Sequence, residues 1–290
     1  MINLQGTGVA MVTPMQANGN IDVQGIENLI EHVVTGVDYL VALGTTGEVA
    51  TLTTKEKDQV LEVTRQKLKG RKPLVLGHGG NDTAKLISQM KEIDFTGVDA
   101  ILSVSPYYNK PSQNGVIAHY RAVADASPVP VILYNVPGRT GSNISAASTL
   151  ALAHHPNIIG IKEASGNVEQ AMAIARDMPS GFSLISGDDL LTPALISIGA
   201  CGVISVLANA YPVAFSDMVN FCLRSDFTSA TKIWKNWIDL NPMLYEEGNP
   251  VGIKAVLAGL GICGLDVRLP LVGASDGLKE RIGKDRFQYI

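Results

Sequence analysis

The first residue that suggests chemistry is Lys162, which directly follows the apolar run 158–161 in the segment NIIGIKEASG (157–166). Carrying an ammonium group out of water costs several kcal/mol unless the group is paired or loses its proton. A strand-end lysine that points into solvent is the ordinary interpretation. The alternative is a nucleophile, because a confined apolar pocket favours the neutral amine, which forms Schiff bases with ketones and aldehydes.

Four further residues have side chains that suit imine chemistry on a keto acid. A phenol held by hydroxyl neighbours can move protons, and Tyr134 is the best candidate for that role. Thr45 and Thr46 can hold a carboxylate through backbone N–H groups and hydroxyls, and the guanidinium of Arg139 suits a second carboxylate. Their ordinary interpretations are a half-buried strand tyrosine, a strand-end turn and a solvated loop charge.

Short apolar runs rich in β-branched residues recur along the chain and predict the elements that position these residues. The eight runs span residues 8–15, 38–46, 72–80, 98–108, 129–137, 157–165, 181–189 and 200–209. Segments with helical periodicity separate them, such as 53–70 and 82–97. This alternation predicts parallel strands covered by helices, in an α/β fold of the (β/α)₈ TIM-barrel type. A doubly wound open sheet competes, but no strand is followed by a G-x-G-x-x-G turn.

A barrel gathers the carboxyl ends of its strands at one face, which is where catalytic groups lie. Lys162 then ends the sixth strand, with Tyr134 one strand away and Thr45 after the second. Gly160 and Ile158 precede the lysine on its strand face, so we expect Gly160 to leave room beneath the amine. These strand ends carry no cluster of His, Asp and Glu with ligand spacing, which argues against a metal site.

The strand pattern stops near residue 224, so we predict a catalytic barrel over 1–224 and a helical region packed on it over 225–290. A first helical segment covers 227–248, and its predicted buried positions are Trp234, Trp237, Ile238 and Leu244. A second segment, 249–262, opens with Asn249 as N-cap and Pro250 at the first helical position. A third helix is predicted within 275–284.

Composition excludes several classes of function. Lys and Arg total 23 against 27 Asp and Glu, a net charge of −4 without any basic tract, which disfavours nucleic acid and anionic membranes as partners. The uncharged stretch 190–216 is broken by Pro and Gly, so a short helix and a buried strand explain it better than a membrane span. With three scattered cysteines and no secretory signal, we expect a cytoplasmic protein. The charged fraction of 17% suggests surface hidden in subunit contacts.

Several long motifs in order resemble the dihydrodipicolinate synthase family of pyruvate-dependent class I aldolases. They are GTTGE (44–48), SPYYNKPSQNG (105–115), YNVPGRTG (134–141), IIGIKEASG (158–166), SGDD (186–189) and EEGNP (246–250). The resemblance covers essentially the whole chain. It implies condensation of pyruvate with L-aspartate 4-semialdehyde, the first committed step toward diaminopimelate and lysine, without a metal or organic cofactor.

The resemblance also implies a role for individual residues. The catalytic positions are the Schiff-base lysine Lys162, the proton-relay tyrosine Tyr134 and the relay partners Thr45 and Tyr108. The substrate-binding positions are Thr46, Arg139, Gly187 and Ile204. Tyr108 is expected to reach across a dimer interface, within a homotetramer that is a dimer of dimers. Other pyruvate-dependent aldolases or lyases acting on acetylneuraminate or keto-deoxy sugar acids are the alternative, followed by a non-catalytic metabolite-binding barrel.

The regulatory site departs from part of the family. Asn81 and Tyr107 are retained, but Lys85 stands where lysine-inhibited relatives have glutamate, and Thr54 and Lys57 stand where they have histidine. Replacing a carboxylate by an ammonium turns attraction for the effector's own ammonium into repulsion. We therefore predict weak or absent feedback inhibition by L-lysine.

Overall fold

The protein folds as a closed barrel of eight parallel strands in a computed structural model that describes residues 2–285. Each strand pairs with its sequence neighbours, and the last strand pairs with the first. The strands are β1 (Gly6–Ala10), β2 (Tyr39–Ala42), β3 (Leu74–Gly77), β4 (Ala100–Val104), β5 (Val131–Asn135), β6 (Ile158–Glu163), β7 (Ser183–Ser186) and β8 (Gly202–Ser205). The predicted (β/α)₈ barrel with C-terminal helices is confirmed.

Helices cover the outside of the barrel. Those of the first half are α1 (Val23–Val33), α2 (Thr54–Leu68), α3 (Thr83–Met90), α4 (Gln113–Ala126), α5 (Pro137–Thr140) and α6 (Ala146–Ala153). Those of the second half are α7 (Val168–Asp177), α8 (Thr192–Ser197), α9 (Pro212–Leu223), α10 (Phe227–Trp234), α11 (Trp237–Glu246), α12 (Val251–Gly259) and α13 (Asp276–Asp285). The uncharged stretch 190–216 contains α8 and β8, as predicted. No described helix is both long and apolar enough to cross a membrane.

Two hydrophobic clusters explain why the strands read as nearly continuous apolar runs. Side chains on one strand face fill the bore, and those on the other face pack against the helices. Bore residues from successive strands are Ala10, Val41, Val75, Leu102, Ile132, Ile159, Ile185 and Ile204. Because both faces are buried, the strands lack the alternation of apolar and polar residues that half-exposed strands show.

The barrel closes where β8 lies against β1. Gly202 pairs with Gly6 in that register. A Cβ atom added to Gly202 would overlap the carbonyl oxygen of Gly6, and Gly6 itself has a φ of +98°. Glycine is therefore required on both sides of this contact, because no other residue permits the approach and the positive φ without strain.

The predicted helix over 227–248 is two helices, α10 and α11, separated at Lys235 and Asn236. Trp237 and Leu244 are buried as predicted, and Trp234 is half-buried. The prediction for Ile238 is wrong, because its side chain is 41% exposed. Helix α11 buries Trp237, Leu240 and Leu244, which recur at helical spacing, and Ile238 lies about 100° around the helix from Trp237.

The predicted N-cap of the next helix is also displaced. Helix α12 begins at Val251 with Pro250 in the N-cap position, so Asn249 lies one residue before the cap. The side chain of Asn249 instead donates a hydrogen bond from Nδ2 to the hydroxyl of Thr46, at 3.0 Å. A partner 203 residues away thus takes the amide that local capping would have used, which a local sequence pattern cannot show.

A buried ion pair joins the C-terminal helices to the loop after β2. Lys254 of α12 is fully buried and its Nζ lies 2.6 Å from Oε1 of Glu48. The same Nζ donates to the carbonyl oxygen of Asp266 at 2.6 Å, and the backbone N–H of Arg268 donates to Oε2 of Glu48 at 3.1 Å. Each member of the pair therefore has a hydrogen-bond partner besides the other, which makes the buried charges tolerable.

Removing one member of the Glu48–Lys254 pair should destabilise the protein, because the charge of the other member stays buried and unpaired. We expect Lys254→Met to lower the free energy of unfolding by about 3–5 kcal/mol, because it leaves Glu48 buried without a counter-charge. Glu48→Gln combined with Lys254→Met should recover much of that loss. The measurement is urea unfolding, with Lys279→Met as the control, since Lys279 belongs to an exposed pair with Asp276 and should cost at most about 1 kcal/mol. A double variant as unstable as the sum of its single variants would contradict the argument.

Candidate active site

Lys162 and Tyr134 stand side by side at the mouth of the barrel. They occupy the same register on β6 and β5. The Nζ of Lys162 lies 4.6 Å from the centre of the Tyr134 ring, over its face. Lys162 is 5% exposed and Tyr134 is 7% exposed. The ordinary interpretation of Lys162 as a strand-end charge in solvent is therefore wrong.

A β-bulge in β6 changes which residues lie beneath the lysine. The pairing with β5 shifts by one residue, so that Val131 pairs with Ile158 and Ile132 with Gly160. Ile158 consequently packs among the helices and Ile159 fills the bore. The prediction that Ile158 shares the face of Lys162 is wrong, because simple alternation fails across a bulge.

The expected role of Gly160 is also wrong, and Gly187 has it instead. A Cβ atom on Gly160 would lie 2.6 Å from the carbonyl oxygen of Ser183, so that glycine lets β7 approach β6. A Cβ atom on Gly187 would lie 3.1 Å from Cε of Lys162 and 2.5 Å from Cβ of Ala164. Gly187 therefore keeps the space beside the lysine side chain open.

The outer face of β6 is held by a buried carboxylate. Glu163 follows Lys162 and points the other way, where Oε1 accepts from the backbone N–H of Ser165 at 2.7 Å. Its Oε2 accepts from the side-chain amide of Gln170 at 2.9 Å, and the amide of Asn135 contacts both oxygens. These bonds fix the end of the strand and so the base of the Lys162 side chain.

The two threonines lie on a short 3₁₀ helix, Thr45–Gly47, directly after β2. The hydroxyl of Thr13, at the end of β1, donates to the carbonyl of Gly47 at 2.7 Å and anchors this turn. Thr46 is buried and accepts the hydrogen bond from Asn249. Since that bond uses only an acceptor lone pair, the hydrogen of the Thr46 hydroxyl stays available for a ligand.

One cavity of about 260 Å³ brings most of the predicted site together. Its predicted members are Thr46, Tyr134, Arg139, Lys162 and Gly187. Thr45 lines two neighbouring cavities, of about 550 and 90 Å³, and shares the smaller one with Tyr134. The cavity combines a lysine amine, an arginine guanidinium and a hydroxyl donor, which suits a ligand bearing carboxylate groups.

Sequence reasoning does not identify several residues of the cavity wall as functional. The further lining residues are Val136, Ala164, Val206, Asn241, Tyr245 and Asn249, together with Asp188, which sequence reasoning does place at the end of the seventh strand. Three of them, Asn241, Tyr245 and Asn249, come from the C-terminal helical region, which the analysis of strand ends does not reach. The motif EEGNP (246–250) is the one sequence signal for this part of the wall, since it contains Asn249 and directly follows Tyr245.

Tyr245 in the cavity wall and Asp189 behind it have shifted pKa values. The Tyr245 side chain is 39% exposed, but its phenol lies in the cavity wall, where desolvation and then the carboxylates of Asp189 and Asp188 raise its pKa above the ordinary value. Tyr245 therefore remains a hydroxyl donor at neutral pH. Burial likewise raises the pKa of Asp189 to about 6. Its Oδ2 accepts from the backbone N–H groups of Val206 and Leu207 at 3.1 and 2.8 Å, which places Val206 in the cavity wall.

Two further predicted site residues line none of these three cavities. Ile204 is buried in the bore below it. Tyr108 is 88% exposed, on a loop where its φ is +73°. Within residues 2–285, no group of three or more His, Cys, Asp and Glu is arranged to hold a metal ion.

The predicted regulatory positions lie around the larger neighbouring cavity. Lys57 and Tyr107 line it together with Thr45 and Arg139. Asn81 donates from Nδ2 to the carbonyl of Tyr107 at 3.1 Å. The remaining two positions, Thr54 and Lys85, are exposed in the first turns of α2 and α3.

Comparison with known proteins identifies the relatives of this chain. A protein of Cytophaga hutchinsonii named 4-hydroxy-tetrahydrodipicolinate synthase is 51% identical over 283 residues, covering 97% of this chain and 95% of that protein. A protein of the same name from Porphyromonas gingivalis is 46% identical over 288 residues, covering 98% and 97%.

Solved structures agree with the sequence relatives. The crystal structure of dihydrodipicolinate synthase from Aquifex aeolicus matches with a TM-score of 0.94 at 36% identity, covering 99% of this chain and 98% of that one. The enzyme from Thermotoga maritima matches with a TM-score of 0.95 at 32% identity, covering 98% of each chain. A family model described as the dihydrodipicolinate synthetase family matches residues 3–286. The predicted resemblance is confirmed, and this chain belongs to the dihydrodipicolinate synthetase family.

Proposed function

We propose that this protein is a class I aldolase that condenses pyruvate with L-aspartate 4-semialdehyde to give 4-hydroxy-tetrahydrodipicolinate. This reaction is the first committed step of the diaminopimelate and lysine pathway. The observation that carries the proposal is the buried amine of Lys162, which stands over the Tyr134 ring and opens into a cavity that Arg139 also lines. The names of the relatives support the same reaction.

The chemistry begins on Lys162. Its neutral amine attacks the keto carbon of pyruvate to form a carbinolamine, which loses water to give an imine. The imine draws electrons from the methyl group, so one of its protons leaves and a nucleophilic enamine forms. This carbon attacks the aldehyde of the second substrate and makes the new carbon–carbon bond. The substrate's own amino group then displaces the Lys162 amine, which releases the cyclic product.

Tyr134 is the proposed carrier of the protons that these steps exchange. Its ring borders Lys162 in the 260 Å³ cavity and borders Thr45 in the 90 Å³ cavity. A phenol between the amine and a hydroxyl can relay the proton that the nitrogen loses after the amine has attacked, and can supply a proton to the carbinolamine hydroxyl, which then leaves as water. Thr45 and Tyr108 are the proposed relay partners.

The two carboxylates of the substrates have separate proposed positions. Thr46, with Thr45, holds the pyruvate carboxylate, because the bond from Asn249 leaves the Thr46 hydroxyl hydrogen free to donate. Arg139 receives the carboxylate of the semialdehyde in a bidentate contact. Gly187 and Ile204 shape the pocket. Arg139 in the cavity favours the synthase over the related sugar-acid lyases.

The proposal also covers the oligomeric state of the protein. The exposed side chain of Tyr108 is proposed to enter the cavity of a neighbouring subunit, in a homotetramer built as a dimer of dimers. The division into a barrel over 1–224 and a helical region over 225–290 stays a prediction, and residues 1 and 286–290 lie outside the described residues. The same holds for a cytoplasmic location, for the absence of nucleic-acid and membrane partners, and for catalysis without a cofactor.

Borohydride trapping tests the imine directly. We expect incubation with pyruvate and sodium borohydride, followed by peptide mass spectrometry, to give one reduced pyruvate adduct on Lys162, because only an imine is reduced to a stable amine. Lys254, which is buried but ion-paired, should stay unmodified. An unmodified Lys162 would exclude both the synthase and the related lyases.

The Arg139→Ala variant tests the proposed binding of the semialdehyde carboxylate separately from the binding of pyruvate. This variant should still form the pyruvate adduct, but its kcat/KM for aspartate semialdehyde should fall about 10- to 100-fold, the effect of losing a charge-assisted contact. Cleavage of acetylneuraminate by the wild type, without turnover of the semialdehyde, would support the lyase alternative instead.

Gly187→Ala tests the space beside the lysine. The added methyl group would meet Cε of Lys162 and Cβ of Ala164, so we expect pyruvate trapping to slow by about 100-fold, since small displacements of a reacting group carry costs of that size. Gly138→Ala is the matched control, because a Cβ there has no atom within 4 Å. Equal trapping rates for Gly187→Ala and wild type would contradict the steric argument.

L-Lysine should not inhibit this protein at sub-millimolar concentration. An ammonium near Lys85 or Lys57 is repelled by about 1 kcal/mol at close range even in water, where a carboxylate would attract it. Initial rates at increasing L-lysine concentration provide the measurement, and Lys85→Glu should increase the inhibition. An inhibition constant in the sub-millimolar range for the wild type would defeat the prediction.

A further inference from the structure

Helix α11 presents two polar side chains to the cavity of Lys162. Asn241 and Tyr245 both line that cavity, and they lie four residues apart, which places them on the same face of the helix. Leu240 and Leu244, each one residue earlier, are fully buried in the hydrophobic core and hold the helix in place. Core packing therefore determines which side chains of α11 reach the cavity.

The side chain of Asn241 is buried and carries an unpaired acceptor. It is 8% exposed, and within residues 2–285 no protein group donates a hydrogen bond to its Oδ1. A second asparagine of the cavity wall, Asn249, is 9% exposed, and its Oδ1 also lacks a donor while its Nδ2 donates to Thr46. A buried amide oxygen without a partner costs free energy, so such atoms are rare. Two of them in one cavity wall indicate a ligand that donates hydrogen bonds.

Asp188 adds negative charge to the same cavity. Its Oδ1 accepts from the backbone N–H groups of Leu190 and Leu191 at 3.0 and 3.1 Å, and the residue lines the cavity. In the part of the chain that the structure describes, no lysine, arginine or histidine forms an ion pair with this carboxylate. A primary ammonium suits this environment, since it is cationic and donates up to three hydrogen bonds.

The proposed second substrate carries one such group, and it has no assigned contact. Its carboxylate is assigned to Arg139, and its aldehyde carbon is attacked by the enamine on Lys162. Its α-amino group is mostly protonated at neutral pH and is therefore a hydrogen-bond donor. The same nitrogen must later attack the imine carbon to release the product, so it has to be held near Lys162.

We propose that the amide oxygen of Asn241 binds the α-ammonium group of the second substrate, with Oδ1 of Asn249 as the second acceptor. The charge of Asp188 favours a cation at this position. The inference rests on the proposed aldolase function and extends it to recognition of the amino group. Asn241 is then a specificity-determining residue, because an aldehyde without the amino group leaves its buried oxygen unpaired.

A neutral acceptor in contact with the nitrogen also suits the later chemistry. An amide oxygen accepts from the N–H groups of an ammonium and of a neutral amine alike. The contact therefore persists when the nitrogen loses a proton and exposes the lone pair that attacks the imine carbon. A carboxylate at position 241 would stabilise the ammonium form and oppose this loss.

Steady-state kinetics of the full-length protein with two aldehydes test the assignment. Asn241→Leu keeps the approximate size of the side chain but removes the acceptor, so kcat/KM for L-aspartate 4-semialdehyde should fall about 10- to 100-fold. Succinic semialdehyde is the same aldehyde without the amino group. Its inhibition constant should change by less than about threefold, because it makes no contact that the variant removes.

Asn236→Leu is the matched control for this substitution. Asn236 is an exposed asparagine at the N-terminus of α11, and its side chain makes no capping hydrogen bond. The control variant should therefore have wild-type constants for both aldehydes. A loss of kcat/KM in Asn236→Leu as large as in Asn241→Leu would show a general effect on the helix and would overturn the assignment.

Asn241→Asp tests which end of the amide the substrate contacts. This variant retains an acceptor, so its KM for the semialdehyde should stay within about threefold of the wild-type value, while kcat falls because the carboxylate holds the proton on the nitrogen. A KM raised about 10-fold or more would mean that position 241 donates to a substrate carboxylate. That result would overturn the assignment.

Three results with Asn241→Leu would also overturn the inference. They are an unchanged kcat/KM for the semialdehyde, equal weakening of both aldehydes, and loss of the borohydride-trapped pyruvate adduct on Lys162, which would mean that Asn241 supports the lysine instead. When the wild type turns over the semialdehyde, any of these results refutes this inference alone. A wild type that traps pyruvate but does not turn over the semialdehyde refutes the proposed condensation as well.

Discussion

Closure of the sheet is the constraint on which the rest of the structure depends. The carboxyl ends of β2, β5, β6 and β7 converge on one cavity only because β8 returns to pair with β1. That closure requires two glycines, Gly6 and Gly202, at the point where the backbones approach most closely. In an open sheet Thr46 and Lys162 would stand several strands apart, and no single ligand could contact both.

The second requirement is that charged groups near the mouth of the barrel have partners that do not occupy the cavity. Glu48 and Lys254 neutralise each other beneath the loop that carries the threonines, and Glu163 is bound by amides behind β6. Lys162 and Arg139 line the cavity and take no part in these pairings. The arrangement separates charges that hold the structure together from charges that can act on a ligand.

Sequence reasoning predicted the barrel and its central pair of residues for a clear physical reason. Buried parallel strands give continuous apolar runs, and closure of the barrel then fixes which strand ends are neighbours. The position of Lys162 beside Tyr134 follows from that order alone.

The errors concern residues whose packing or non-local contacts override the pattern that the local sequence predicts. The bulge at Ile159 places Ile158 on the outer face, and the bond to Thr46 withdraws Asn249 from helix capping. Asn241 and Tyr245 could not be placed, because their helix carries no strand-end signal.

The hydrogen bond between Asn249 and Thr46 has a consequence for the order in which the protein becomes competent during synthesis. All eight strands have left the ribosome well before residue 249, since β8 ends at Ser205. The hydroxyl of Thr46 nevertheless lacks the amide that orients it until the last fifth of the chain has emerged and docked. A nascent or prematurely terminated chain can thus contain every strand of the barrel and the lysine proposed to form the imine, while the threonine proposed to bind carboxylate still lacks its bond to Asn249. Docking of the segment that carries Asn249, and not formation of the barrel alone, completes the proposed site.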